Sequence, residues 1–369
     1  MNYTHDFANL ACDFCVIPDT YCGISIYRNN GYRVCSFCHQ HEDKSFQGAD
    51  ALSSNLNLEK GEKVGVTVSG GKDSLYAWMK MVEILGSEKV VAFNHNKVDL
   101  VHPVAMNNLR KAQERLKTEL VIVRDDIFLP RFKKNLKAFL DKPDAAMIKV
   151  ALCAGCRYGI RGRMFEEGLK FGISKYINAN SYLEQNPFKL SLLEKRGGGS
   201  YRDGILNCLY ENSRYQHSDN IETIKKDHEY WPSGEIFSSM PEFYSQIQHF
   251  SFDRYFPNNP FFYEEEVKKN LSWEKPMKSW HFDCQVESFK DLFYYGLLGH
   301  TELENKLSSM VRHRIISRDY ALQRLYSYRE KIKLTISEVH KLCEELDIQE
   351  LIPKIDNFCK ESRYIRTLN

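Results

Sequence analysis

The sequence predicts an α/β fold, a doubly wound and mostly parallel sheet, with a small cysteine-bearing module before it and a helical region after it. Three observations carry that expectation. From Lys63 onward, apolar runs of strand length alternate with amphipathic runs of helix length, the order that produces parallel strands with helices on both faces. The first of these strands ends in a glycine-rich turn that opens a helix, and ligands bind such sheets at the carboxyl ends of their strands. Residues 1–45 are instead rich in cysteine, glycine and turn formers without a helical period, so something other than an apolar core must hold them.

Each element follows in order. Residues 46–62, QGADALSSNLNLEKGEK, form a polar linker. KVGVTVSGG reads as a buried strand, KDSLYAWMKMVEILG as a helix closed by Gly86, and KVVAFNHN as a second strand. HPVAMNNLRKAQERLKTE is a helix with Pro103 in its first turn, where a missing N–H costs nothing. LVIVRDD is a third strand and RFKKNLKAFLDK a further helix; after a cysteine pair at 153 and 156, RYGIRGRMFEEGLKFG is a helix and ISKYINAN a fourth strand. Residues 197–261, which include Gly197-Gly198-Gly199 and many polar residues, read as a partly irregular insertion. From 262 to 369 the pattern is helical, with TELENKLSSMVRHR, SRDYALQRLYSYREK and TISEVHKLCEEL each opening on a Thr or Ser cap. The boundaries expected are therefore 1–45, 46–196, 197–261 and 262–369.

With 369 residues, 43% hydrophobic and 27% charged, the chain has the composition of a folded globular protein rather than a disordered one. Its formal charge of +2 gives no global pull toward nucleic acid, so a polyanion would need a local basic patch. No apolar run is long enough for a membrane helix and the start lacks the form of a signal peptide; a cytoplasmic protein with no membrane partner is expected. In a reducing compartment, Cys-x-x-Cys pairs are more often metal or redox sites than disulfides. Six of the eleven cysteines form such pairs, whereas Cys22, Cys208, Cys284, Cys343 and Cys359 stand alone and read by default as small buried hydrophobes.

Ser69-Gly70-Gly71-Lys72-Asp73-Ser74 lies between strand and helix. Its backbone amides and the positive end of the helix dipole both face whatever sits above the strand, and glycines let backbone approach an anion closely. Lys72 adds a point charge; Ser69 and Ser74 add hydroxyl donors. The spacing is neither that of the loop used for γ-phosphoryl transfer nor that of the dinucleotide turn. The stretch resembles the loop of the PP-loop ATP pyrophosphatases, which have a Rossmann-like, adenine nucleotide alpha hydrolase-like fold. That resemblance implies cleavage of ATP between its α- and β-phosphates, with AMP placed on a substrate oxygen and pyrophosphate released. It further implies catalytic roles for Lys72 and Asp73, Asp73 organising Mg2+ and the pyrophosphate, and an adenine side lined by the segment that contains Asn94.

Cys12/Cys15 and Cys35/Cys38 are separated by 19 residues, inside the interval of about 15 to 20 that marks a four-thiolate zinc site. Four protein ligands leave no open position, so Zn2+ there is structural. His39 and His41 read more simply as solvated loop residues. The surrounding words, CDFCVIPDTYCGISIYRNNGYRVCSFC, resemble the zinc module of the N-acetyl sugar amidotransferases of surface-polysaccharide (LPS/O-antigen) synthesis, a PP-loop family. The order of parts agrees: zinc module, PP-loop, then Cys153-Ala-Gly-Cys156-Arg-Tyr-Gly159-Ile160 and a helical end. The resemblance implies adenylation of the amide oxygen of an N-acetylated nucleotide sugar and displacement of AMP by ammonia from a separate glutaminase. The chain departs from that pattern at Cys22, at the Arg28-Asn29-Asn30-Gly31 turn, and at Asn178-Ala179-Asn180-Ser181.

CAGCRYGIRGRMF also resembles the Cys-x-x-Cys of the PP-loop tRNA thiolases. That alternative implies tRNA as partner and Cys153 and Cys156 as catalytic thiols, carrying persulfide or binding a second metal or an iron-sulfur cluster. Cys284 is then the best third ligand, with Cys208 behind it. Helix-entry cysteines in the core, or a second structural zinc, are the plainer readings. Arg157, Arg161 and Arg163 would serve phosphate contact or simply a solvated basic face. His281 and Asp283 in WHFDC more often belong to a packed turn than to an acid/base site. The aromatic run PEFYSQIQHFSFDRYFPNNPFFYEEE reads as core rather than as a stacking surface.

Overall fold

The computed structural model describes residues 10–97, 100–124, 128–159, 163–195, 246–275 and 284–366. Cys208, Arg161, His281 and Asp283, together with the three glycines at 197–199 and the side chain of Arg157, lie outside the described residues.

The chain opens on a hairpin of β1 (Ile26–Asn29) and β2 (Tyr32–Cys35), paired antiparallel with Ile26 opposite Cys35. Asn30 and Gly31 turn it at φ of +50° and +85°, the left-handed pair that matches strand twist in a two-residue hairpin. A short helix α1 (Ser36–His39) and the linker helix α2 (Gly48–Leu56) follow.

Five strands build the main sheet: β3 (Val64–Thr67), β4 (Val90–Asn96), β5 (Glu119–Arg124), β6 (Lys175–Asn178) and β7 (Gln248–Ser251). Their order is β5-β4-β3-β6-β7, and every pairing is parallel. The strands alternate between two apolar layers, as the pleat requires. Val90 and Ala92 face a core shared with α3 (Lys72–Leu85), α4 (Pro103–Leu116) and α9 (Pro260–Leu271). Val91 and Phe93 face the opposite layer, closed by Met164, Tyr176 and α7 (Phe165–Lys170). The sheet is therefore doubly wound, and chain order reverses at central β3, which is where such sheets leave a crevice.

A second large core joins α5 (Phe128–Asp141), α6 (Ile148–Gly159), α8 (Pro187–Glu194), α10 (Glu287–Leu298), α12 (Arg318–Glu345), α13 (Ile352–Glu361) and α14 (Arg363–Arg366). Cys12, Cys15, Ile17, Tyr21 and Cys35 belong to the same core, so the N-terminal module is seated on the helices rather than tethered beside them. The aromatic run is core only in part: Phe252, Tyr255 and Tyr263 are 2% exposed, and Tyr263 stacks on Tyr76 with ring centroids 3.9 Å apart, whereas Phe261 and Phe262 are 47% and 46% exposed.

Three expectations need correction. Strand β7 falls inside 197–261, read as partly irregular; its four residues, QHFS, carry too little periodicity to be seen alone. Cys153 and Cys156 lie within α6, not before a helix, because Ile148, Ala151 and Leu152 bury one face of that helix ahead of the pair. TISEVHKLCEEL is not a separate helix but part of the 28-residue α12, and the Thr335 hydroxyl donates back to the Lys331 carbonyl at 3.2 Å instead of capping.

Candidate functional site

The Ser69–Ser74 loop rises from the carboxyl end of β3 and enters α3 through Gly71, whose extended backbone caps the helix with no side-chain hydrogen bond. The first turn of α3 therefore keeps amides available to an anion. Gly70 holds φ at +84°, and a Cβ there would meet the Ala105 carbonyl oxygen at 2.4 Å. Its carbonyl accepts from Trp273 Nε1 at 3.1 Å and Asn108 Nδ2 at 3.5 Å. The loop is tied internally as well: Ser69 N donates to Ser74 Oγ at 3.1 Å, and Ser74 Oγ donates to the Gly71 carbonyl at 3.0 Å.

Lys72 Nζ donates to Asp73 Oδ2 at 2.7 Å. Burial would lower the Lys72 pKa, but the Asp73 carboxylate outweighs it, so the ammonium stands above its ordinary value. Asp73 Oδ1 is buried with no hydrogen-bond partner among the described residues. A hard oxygen ligand left open beside a phosphate-type loop fits a Mg2+ ion carried by a nucleotide. Ser69, Gly71, Lys72, Asp73 and Ser74 line a cavity of about 240 Å³ that is closed on its other sides by Glu184, Phe261, Trp273, Lys306, Tyr320 and Arg324. Asn94 is not among its lining residues: it is 3% exposed, and its amide donates to the Val68 carbonyl at 2.7 Å, bracing the base of the loop.

Cys12, Cys15, Cys35 and Cys38 bring their sulfurs within 4.8 Å of one another, and Cys15 and Cys35 are 3.7 Å apart. Metal–sulfur bonds of about 2.3 Å in a tetrahedron place ligand sulfurs about 3.8 Å apart, so the donor set fits Zn2+. Hydrogen bonding among the four thiols divides them: Cys15, Cys35 and Cys38 push the Cys12 thiol down, while Cys12 pushes Cys15 and Cys38 up. The knuckle is fastened to the helical region. Val16 N donates to Ser308 Oγ at 3.2 Å, Tyr21 to Asn305 Oδ1 at 3.0 Å, and Arg318 Nε to the Cys15 carbonyl at 3.2 Å.

Cys153, Cys156 and Cys284 line one cavity of about 520 Å³, together with Lys97, Lys149, Lys189, Lys290 and Lys306 and with Glu184, Glu287 and Glu302. The three thiols are not drawn together as tightly as the N-terminal four, which form the sole group of that kind among the described residues. A polynuclear cluster spreads its thiolates over several irons, and Cys153, Cys156 and Cys284 are the thiols of this cavity that would hold one. The Cys156 sulfur lies 3.9 Å from His95 Nδ1, at the end of β4. Arg163 is partly buried but lines neither cavity. Glu184 and Lys306 line both cavities and are ion-paired; sequence reading did not single them out, because neither sits in a motif.

No family model matches the chain, and no curated protein matches it. Among solved structures the chain is similar to the U34-tRNA thiolase NcsA from Methanococcus maripaludis with its [4Fe-4S] cluster, at 14% identity and a TM-score of 0.34, covering 86% of this chain and 88% of that one. It is also similar to the glutamine-dependent NAD+ synthetase from Acinetobacter baumannii in complex with ADP, at 10% identity and a TM-score of 0.29, covering 85% of this chain and 49% of that one. The chain thus spans about half the length of the synthetase.

Proposed function

We propose that this protein is an ATP-dependent adenylating enzyme that activates a carbonyl or amide oxygen. The observation that carries the reading is the Ser69–Ser74 loop at the strand-order reversal, its Lys72–Asp73 pair facing a cavity that shares a wall with a second, thiol-lined one. The acceptor oxygen attacks the α-phosphorus, the bond to the bridging oxygen breaks, and pyrophosphate leaves with the electron pair. A nucleophile then adds to the activated carbon and AMP leaves. Lys72 and the loop amides hold the departing phosphates, and Asp73 orients them. Mg2+, when bound, supplies neutralisation of their charge.

For the second step, the side-chain geometry supports sulfur as the nucleophile, because Cys153, Cys156 and Cys284 line a cavity that shares Glu184 and Lys306 with that of the phosphate loop. The acceptor is then a tRNA base, and an iron-sulfur cluster, when bound, supplies an iron site for sulfide. A second reading, nitrogen transfer to an N-acetylated nucleotide sugar with ammonia from a glutaminase, is supported by the words around Cys12–Cys38. The cavity also lies within the range of about 300–1,000 Å³ usual for small ligands. Incubation with Mg-ATP and either tRNA or N-acetylated nucleotide sugars, reading AMP and pyrophosphate, tests the activation step. Formation of ADP and phosphate instead would overturn it. Anaerobic protein with visible absorption that vanishes in Cys153→Ala, and AMP formation with tRNA, supports sulfur; colourless zinc protein active with a sugar and ammonia refutes it.

A further inference from the structure

Glu184 and Lys306 come from distant parts of the chain yet stand together between the two cavities. Glu184 ends a single turn, Tyr182–Glu184, beyond the carboxyl end of β6. Its backbone is fixed by the Glu184 N–H to the Ser181 carbonyl at 3.0 Å and by Asn186 Nδ2 donating to its own carbonyl at 2.8 Å. Lys306 lies on α11 (Glu302–Arg312), which a capping box at Thr301 starts. The neighbouring Asn305 donates to the Gln185 carbonyl and accepts from Tyr21. The ammonium of Lys306 is paired with Glu184, and the two side chains are 12% and 29% exposed. Lys306 thus borders both the cavity of the phosphate loop and the cavity of the cysteines.

Adenylation requires that charge on the transferring phosphoryl group be met by fixed donors at the junction between nucleotide and acceptor. Lys72 sits at the loop and, on the adenylation reading, holds the departing pyrophosphate. From these positions we infer that Lys306, aimed by Glu184, contacts the α-phosphate and holds it while the acceptor oxygen displaces pyrophosphate. Lys306 gains and loses no proton in this role; Glu184 is a positioning residue that acts through it. The inference rests on the adenylation reading, and it gives the helical region a share in the chemistry.

The test uses the full chain and two probes, AMP and adenosine, with affinities measured by calorimetry. Lys306→Gln should lose about tenfold or more of the preference for AMP over adenosine, the scale of a charge-assisted phosphate contact. Lys306→Arg should retain it within about threefold. The double variant Glu184→Gln/Lys306→Gln, which strands no carboxylate, should lose the preference as the single variant does. AMP formation from Mg-ATP should fall about 100-fold or more in Lys306→Gln. An unchanged AMP-to-adenosine ratio in Lys306→Gln overturns the inference. If the wild type keeps that Lys306-dependent ratio but turns ATP into ADP, the adenylation reading fails while the phosphate contact stands; if neither nucleotide binds, both fall.

Discussion

Gly70→Ala separates backbone strain from steric conflict at the phosphate loop. Gly70 sits at φ +84°, and its added Cβ would lie 2.4 Å from the Ala105 oxygen and 2.8 Å from its carbonyl carbon. Forcing an L-residue into the left-handed region costs roughly 1–2 kcal/mol. Displacing packed backbone adds about 1–3 kcal/mol, since Ala105 lies in α4 and has no flexible end to swing aside. The sum is about 2–5 kcal/mol. Gly61 is the control: it holds φ +86°, and a Cβ added there would have nothing within 4 Å, so Gly61→Ala should cost about 1–2 kcal/mol from strain alone. Urea unfolding followed by tryptophan fluorescence reads both, and nucleotide binding should weaken only in Gly70→Ala. Equal destabilisation of the two variants, or a Gly70→Ala cost below about 1 kcal/mol, would refute the claim that loop and α4 are in contact at this glycine.

Removing metal from the four-thiol knuckle, by chelator or by Cys35→Ser, should abolish stoichiometric zinc binding and lower the unfolding midpoint, because binding energy there is folding energy; elemental analysis beside a melting curve checks both. Thr301→Ala removes a capping box in which Thr301 Oγ1 accepts from Leu303 N at 3.1 Å and Glu304 accepts from Thr301 N at 2.8 Å. It should destabilise by about 1–2 kcal/mol in urea, and a loss under about 0.5 kcal/mol would show that the helix start is held elsewhere. Burial, aided by His41, Arg312 and Lys44, holds the His313 pKa down at about 4. The unfolded chain therefore binds the extra proton first, so stability should fall as pH drops from about 6.5 toward 4; a His313→Gln variant with the same slope over that window would contradict this.

The alternation that began at Lys63 was enough to place four strands and the loop, because buried parallel strands are continuous apolar runs and the glycines have few other uses. The Cys12–Cys38 cluster was equally legible, since a knuckle fixes ligand spacing locally. What escaped reading depends on contacts across the chain. Strand β7 is held by its pairing with β6 rather than by its own four residues. Glu184 and Lys306 are 122 positions apart and meet through the packing of α11 on the turn after β6. The Asn94 amide braces the loop through the Val68 carbonyl, a contact set by the register of β4 on β3 that no motif announces. Thr335 looks like a cap, but Ile332 and Val339 on either side of it are buried in the helical core and carry the helix through it.

The hydrogen bonds from Val16, Tyr21 and Arg318 join the metal knuckle to the two helices that follow Thr301, and none of them reaches the Ser69–Ser74 loop. Those same helices close the phosphate-loop cavity through Leu303, Lys306, Tyr320 and Arg324, so metal content and nucleotide affinity are linked across the molecule. A preparation short of zinc should bind AMP more weakly and turn over slowly, because the anchorage it has lost is that of Lys306, five residues from Thr301 on a helix the knuckle holds in place. Nucleotide affinity and turnover would then fall together with zinc occupancy.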